Sequence, residues 1–68
     1  MELEAGKKYL TEYGIGLAFD SDRGYMKMYF NNVEGDDGRP IYYIKGQHGR
    51  SNVNWITTKY DAIEEVKE

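Results

Sequence analysis

The stretch closest to a ligand site in residue type is Lys45-Gly46-Gln47-His48-Gly49-Arg50-Ser51-Asn52, with Asn54 just beyond it. Glycines let backbone amides approach an anion, and successive amides in a turn form a nest for one. Arg50 offers parallel donors to a phosphate, and Lys45 and His48 add cationic or donor groups beside it. Ser51, Asn52 and Asn54 carry the hydroxyl and amide groups that read a base or a ribose. The plain alternative is a surface hairpin loop, because glycine, serine and asparagine fill such loops for conformational reasons alone. Neither a Walker pattern nor a dinucleotide fingerprint is present.

Charge distribution favours an anion there more than total charge does. The net charge is −3, but from Gly38 to Tyr60 there is no acid, against Arg39, Lys45, Arg50 and Lys59. The preceding residues, Met1 to Asp37, hold eight acids and four bases, and Asp61 to Glu68 is again acidic. A basic segment thus sits inside an acidic chain, and a net charge of only −3 argues against a nucleic-acid mimic built on massed carboxylates.

A second constellation is aromatic. Tyr25, Tyr29 and one of Tyr42 or Tyr43, with Tyr43 the candidate, fall beside Lys27 on the outer side of predicted strands. Aromatics interleaved with a base can stack single-stranded nucleic acid at about 1–3 kcal/mol per base. The same row suits a protein interface, where tyrosine is enriched, or cross-strand packing of the sheet itself.

Chemistry beyond binding has little to stand on. His48 and Ser51 lie three residues apart in one loop with no orienting carboxylate, a poor basis for nucleophilic catalysis. With no cysteine and one histidine, thiolate metal sites and disulfides are excluded and a histidine zinc site is disfavoured. Asp20-x-Asp22-x-Gly24 starts like a calcium loop but has Phe30 where the distal glutamate belongs. The expectation is a non-enzyme with no cofactor.

The elements that must position these residues are short strands. Tyr25-Met26-Lys27-Met28-Tyr29-Phe30 alternates strictly, placing Met26, Met28 and Phe30 on one face and the tyrosines with Lys27 on the other. Lys7–Thr11, Ile15–Phe19, Ile41–Lys45 and Val53–Thr57 read as further strands, separated by glycine-bearing turns. Ile15, Leu17 and Phe19 share one face of theirs, and Gly16 opposite predicts a bulge or a close backbone approach. Trp55 is expected to be at least partly buried. Asn31 to Pro40 is the longest loop. The tail from Thr58 onward admits a short helix, the preferred reading, or a turn at Tyr60–Ala62 followed by a strand from Ile63 to Lys67. Residues 1–68 therefore make one small domain. It is mostly β: a small antiparallel SH3-like or partly open barrel of about five strands with a short C-terminal helix or strand.

No apolar run approaches the roughly 18 residues of a membrane span, and Met1-Glu2-Leu3-Glu4 is unlike a signal-peptide start. A complete, soluble, cytoplasmic chain is expected, with no membrane partner. A core of this size rarely yields more than about 3–5 kcal/mol, so a homo-oligomer is one route to closing it.

Two resemblances bear on role. Gly6 through Phe19 resembles the opening of SH3-like barrels, in its order of glycine, strand, turn glycine and strand. Gly6-Lys7-Lys8-Tyr9-Leu10-Thr11-x-x-Gly14 resembles the opening of many small tailed-phage proteins. The close, Trp55 with Tyr60-Asp61-x-Ile63-x-Glu65-Val66, is similar to theirs, although Tyr13-Gly14 stands where relatives often carry Asp-Gly or Asn-Gly. The resemblance implies an accessory protein acting in the cytoplasm of a host bacterium. Such a protein would engage a host protein and block a defence system or, alternatively, bind nucleotide or nucleic acid and sequester a signal.

Overall fold

In the computed structural model, residues 2–21, 24–30, 38–45, 49–50 and 57–67 are described. Five strands form one antiparallel sheet: β1 (Lys8–Leu10), β2 (Ile15–Ser21), β3 (Tyr25–Tyr29), β4 (Ile41–Ile44) and β5 (Glu64–Val66). Their spatial order is β4-β3-β2-β1-β5. The first four strands fall where alternation and turn residues predict them. The predicted strand Val53–Thr57, with Trp55, lies outside the described residues except for Thr57, which belongs to no strand.

The tail corrects the preferred sequence reading, because it is a strand rather than a helix. Asp61 N donates to Thr58 O at 3.2 Å, closing one turn, and Ile63 N then donates to Leu10 O at 2.8 Å. From there the chain pairs with β1, Leu10 opposite Glu64 and Lys8 opposite Val66. Two turns of isolated helix are marginal in water. A ladder against β1 satisfies the same backbone groups and keeps the segment on the sheet.

Two hairpins set the register. Thr11 and Gly14 exchange backbone bonds of 2.9 and 3.2 Å around Glu12-Tyr13. The buried Thr11 Oγ1 donates to Gly14 O and accepts from the amides of Tyr13 and Gly14. At the other hairpin Gly24 has φ 83°, a left-handed conformation that a side chain would resist. Together these fix Leu17 opposite Tyr29, Phe19 opposite Lys27, and Lys27 opposite Tyr42.

Inside the sheet lie Tyr9, Ala18, Met26, Met28, Phe30 and Tyr43, all buried, with Leu3, Tyr13, Ile41, Tyr60 and Ala62 packed against them. Met26, Met28 and Phe30 thus share the inner face that their spacing predicts. β2 contributes small residues to that face: Gly16 and Ala18 lie beneath the large side chains of β3. The sheet curls. Its edge strands β4 and β5 are separated by three others, yet the Tyr43 hydroxyl on β4 donates to the Tyr60 carbonyl, close before β5, at 2.5 Å. Ala62 N donates to Gly49 O at 3.0 Å and Tyr13 N to Lys59 O at 3.0 Å, tying the turn before β5 across the mouth. Rings of Tyr13, Phe30 and Tyr60 meet there, 5.0 to 6.2 Å between centroids. The Lys59 ammonium stands 5.1 Å from the Tyr13 ring and 5.2 Å from that of Tyr60.

Candidate functional site

Alternation that sends Met26 and Met28 inward sends Tyr25, Lys27 and Tyr29 outward. The register then places Leu17 and Phe19 of β2 and Tyr42 of β4 beside them. This outer face is rich in exposed aromatic rings. Phe19 is 41% exposed, Tyr25 42% and Tyr42 54%. The rings meet edge to face, Phe19 on Tyr29 at 5.4 Å and Tyr25 on Tyr42 at 6.3 Å. Such pairs contribute to holding the strands in register. They leave ring faces and edges open to water, which a sheet needing only cross-strand packing does not require.

Lys27 stands at the centre, between Phe19 and Tyr42 across the strands, with its ammonium 5.9 Å from the Tyr29 ring centroid. An open depression of about 480 Å³ lies on this face, lined by Leu17, Phe19, Lys27, Tyr29 and Gly38. A second, about 510 Å³, lies at the β1–β5 edge among Gly6, Lys7, Lys8, Glu65, Val66 and Lys67. Its lining is charged, with Lys7 reaching Glu65 within it at 3.4 Å and Glu4 beside it at 2.5 Å. Hydrogen bonding to Glu4, then to Glu65, raises the Lys7 pKa.

The two predicted constellations fare differently. Tyr25, Lys27 and Tyr29 come together on the outer face. Tyr43 does not, and its place as a binding residue is corrected: it lies opposite Met26, 1% exposed, with its hydroxyl committed to Tyr60. Burial, then the charges of Asp61 and Tyr60, raise its pKa well above the ordinary 10.0. Tyr42 is the outward member of that pair. In the glycine loop, Lys45 pairs with Asp20 at 2.8 Å. Arg50 donates to Thr57 Oγ1 at 3.2 Å and stands 4.0 Å from Asp61, away from the tyrosine face. His48, Asn52 and Asn54 lie outside the described residues.

Sequence reasoning missed Leu17 and Phe19 as members of the face. The signal was present: Gly16 and Ala18 on the opposite side mark where a neighbouring strand's bulk must sit, so the larger set faces away. Among the described residues, no three of His, Asp or Glu gather as metal ligands. No family model, curated protein or solved structure matches the chain.

Proposed function

We propose that this chain is a binding protein without catalytic chemistry, gripping another protein through the outer face of β2, β3 and β4. The observation that carries the reading is the exposure of Phe19, Tyr25 and Tyr42 on one face with Lys27 at its centre, Phe19 and Lys27 also lining the depression. Aromatic residues on two rotatable bonds lose little entropy when fixed and dominate interface energetics. The role this suits is that of a phage-type accessory protein engaging a host factor, a defence component being the class its opening and close suggest. Nucleotide binding through the glycine loop is the weaker reading, since Lys45 and Arg50 already hold Asp20 and the Thr57–Asp61 turn.

Quantitative affinity capture from bacterial lysates tests the proposal, using the wild type beside a Phe19→Ser/Tyr42→Ala variant. Proteins retained by the wild type and lost from the variant are expected. Equal recovery by both would refute the face as the binding surface. Titration with cyclic and linear nucleotides is expected to give no heat, and an Arg50-dependent, salt-sensitive signal would restore the nucleotide reading.

A further inference from the structure

The outer face carries its own specification of what covers it. We infer that the occupant is an apolar polypeptide segment of the partner that brings a carboxylate onto Lys27; this rests on the face being the binding surface. Lys27 is half-buried at the centre of the face, flanked along β3 by Tyr25 and Tyr29 and across the strands by Phe19 and Tyr42. Its one recorded interaction among the described residues is with the Tyr29 ring. None of the described outward residues of β2, β3 and β4 is an acid. Asp20, the acid nearest in sequence to this face, has the inward parity of β2 and pairs with Lys45.

Covering the aromatic rings removes water from the ammonium between them. Leaving that charge buried and uncompensated costs far more than an apolar contact returns. A cation–π contact with Tyr29 offsets part of the cost at most. An anion supplied by the occupant offsets the penalty and fixes its register. A nucleic acid also supplies anions, but tracking its backbone takes a row of cations. The described outward residues of β2, β3 and β4 present one cation on a chain of net charge −3. A second copy docked about a two-fold axis through this point sets Lys27 against Lys27.

The test probes the full chain with a library of short random peptides, against the wild type, Lys27→Gln, Lys27→Glu and Phe19→Ser/Tyr42→Ala. The expected result is enrichment of peptides carrying Asp or Glu between aromatic or aliphatic residues. Their affinity should fall about tenfold or more on Lys27→Gln, with thermal stability unchanged. The Lys27→Glu variant is expected to select Lys or Arg at the same position instead. If selected peptides show no acid preference yet are lost on Phe19→Ser/Tyr42→Ala, the carboxylate inference fails and the face reading stands. Peptides indifferent to that double variant sink both, and a library yielding no binder counts against the inference. Concentration-dependent dimers abolished by Tyr42→Ala would assign the face to a second copy and overturn it.

Discussion

Gly16 on β2 lies flat beneath Met28 of β3, so closely that a methyl group added to the glycine would overlap Met28 Sδ and Cγ and stand 2.8 Å from Phe30 Cε1. This relationship decides which way the molecule faces. Met28 and Phe30 fill the inner side only because Gly16 and Ala18 leave room beneath them. By alternation Ile15, Leu17 and Phe19 must then point outward, and Phe19 comes to stand beside Lys27. A packing constraint in the core thereby produces the apolar surface outside it.

Gly16→Ala is therefore expected to destabilise the protein by about 1–3 kcal/mol, the usual cost of forcing extra volume into a filled core. Combined with Met28→Ala, itself costly in the core, the total loss should fall short of the sum of the two single losses, because the cavity and the added methyl occupy the same space. A double-mutant cycle on urea midpoints measures the coupling, expected at about 0.5–3 kcal/mol. Strict additivity would mean that the two side chains do not compete.

Tyr43 gives a pH-dependent prediction. Burial raises its phenol pKa above the ordinary 10.0, so the folded protein keeps a proton that the unfolded chain releases. The stabilisation from this group is fully present below about pH 10 and is lost as pH rises from there towards the folded value. The expected signature is a fall in stability in the alkaline limb, steeper in the wild type than in Tyr43→Phe. At neutral pH the same variant forfeits the bond to the Tyr60 carbonyl and should lose about 1–2 kcal/mol. Identical alkaline slopes for the two proteins would contradict the buried, proton-holding role.

Much of this architecture was legible in residue order. Met26, Met28 and Phe30 alternate with Tyr25, Lys27 and Tyr29, and one strand paired on both sides is the simplest structure honouring that period. What alternation cannot state is which of two apolar sets a strand buries. Ile15, Leu17 and Phe19 outweigh Gly16 and Ala18 in hydrophobicity, and only the neighbour's bulk reverses the preference. The Tyr42-Tyr43 choice failed for a related reason: adjacent identical residues give no sign of phase, and the pairing of Met26 with Tyr43 sets it. The tail was ambiguous because Thr58 and Asp61 close a turn that could equally start a helix. Its outcome rests on the free edge of β1, a distant element.

That turn carries a third prediction. The mostly buried Asp61 carboxylate accepts from Thr58 N at 3.1 Å and Thr58 Oγ1 at 3.2 Å, and Arg50 approaches at 4.0 Å. The amide bond is within normal range, the hydroxyl contact is long and the ion pair is at the limit of contact, so the amide bond is the strongest of the three. Asp61→Ala should lower stability by about 1–3 kcal/mol with an unchanged denaturant slope. Arg50→Ala should cost less. A larger effect from Arg50 would reverse this ranking.

The outer face should separate from the core in its response to substitution. Phe19 and Tyr42 keep much of their surface in water, and each loses cross-strand contacts when truncated, to Lys27 and to one ring, rather than a place in the interior. Phe19→Ser and Tyr42→Ala are expected to cost about 1 kcal/mol or less each, within the range of cross-strand pair contributions. Tyr9→Ala and Phe30→Ala, both in the core at 1% exposure, should cost about 3–5 kcal/mol. A domain of this size has little more than that to lose, so the latter pair should be unfolded at ambient temperature and the former folded. Circular dichroism melts of the four variants check the ordering. Outer variants that unfold with the core ones would mean that the aromatic face holds the sheet together, and that its exposure owes nothing to a partner.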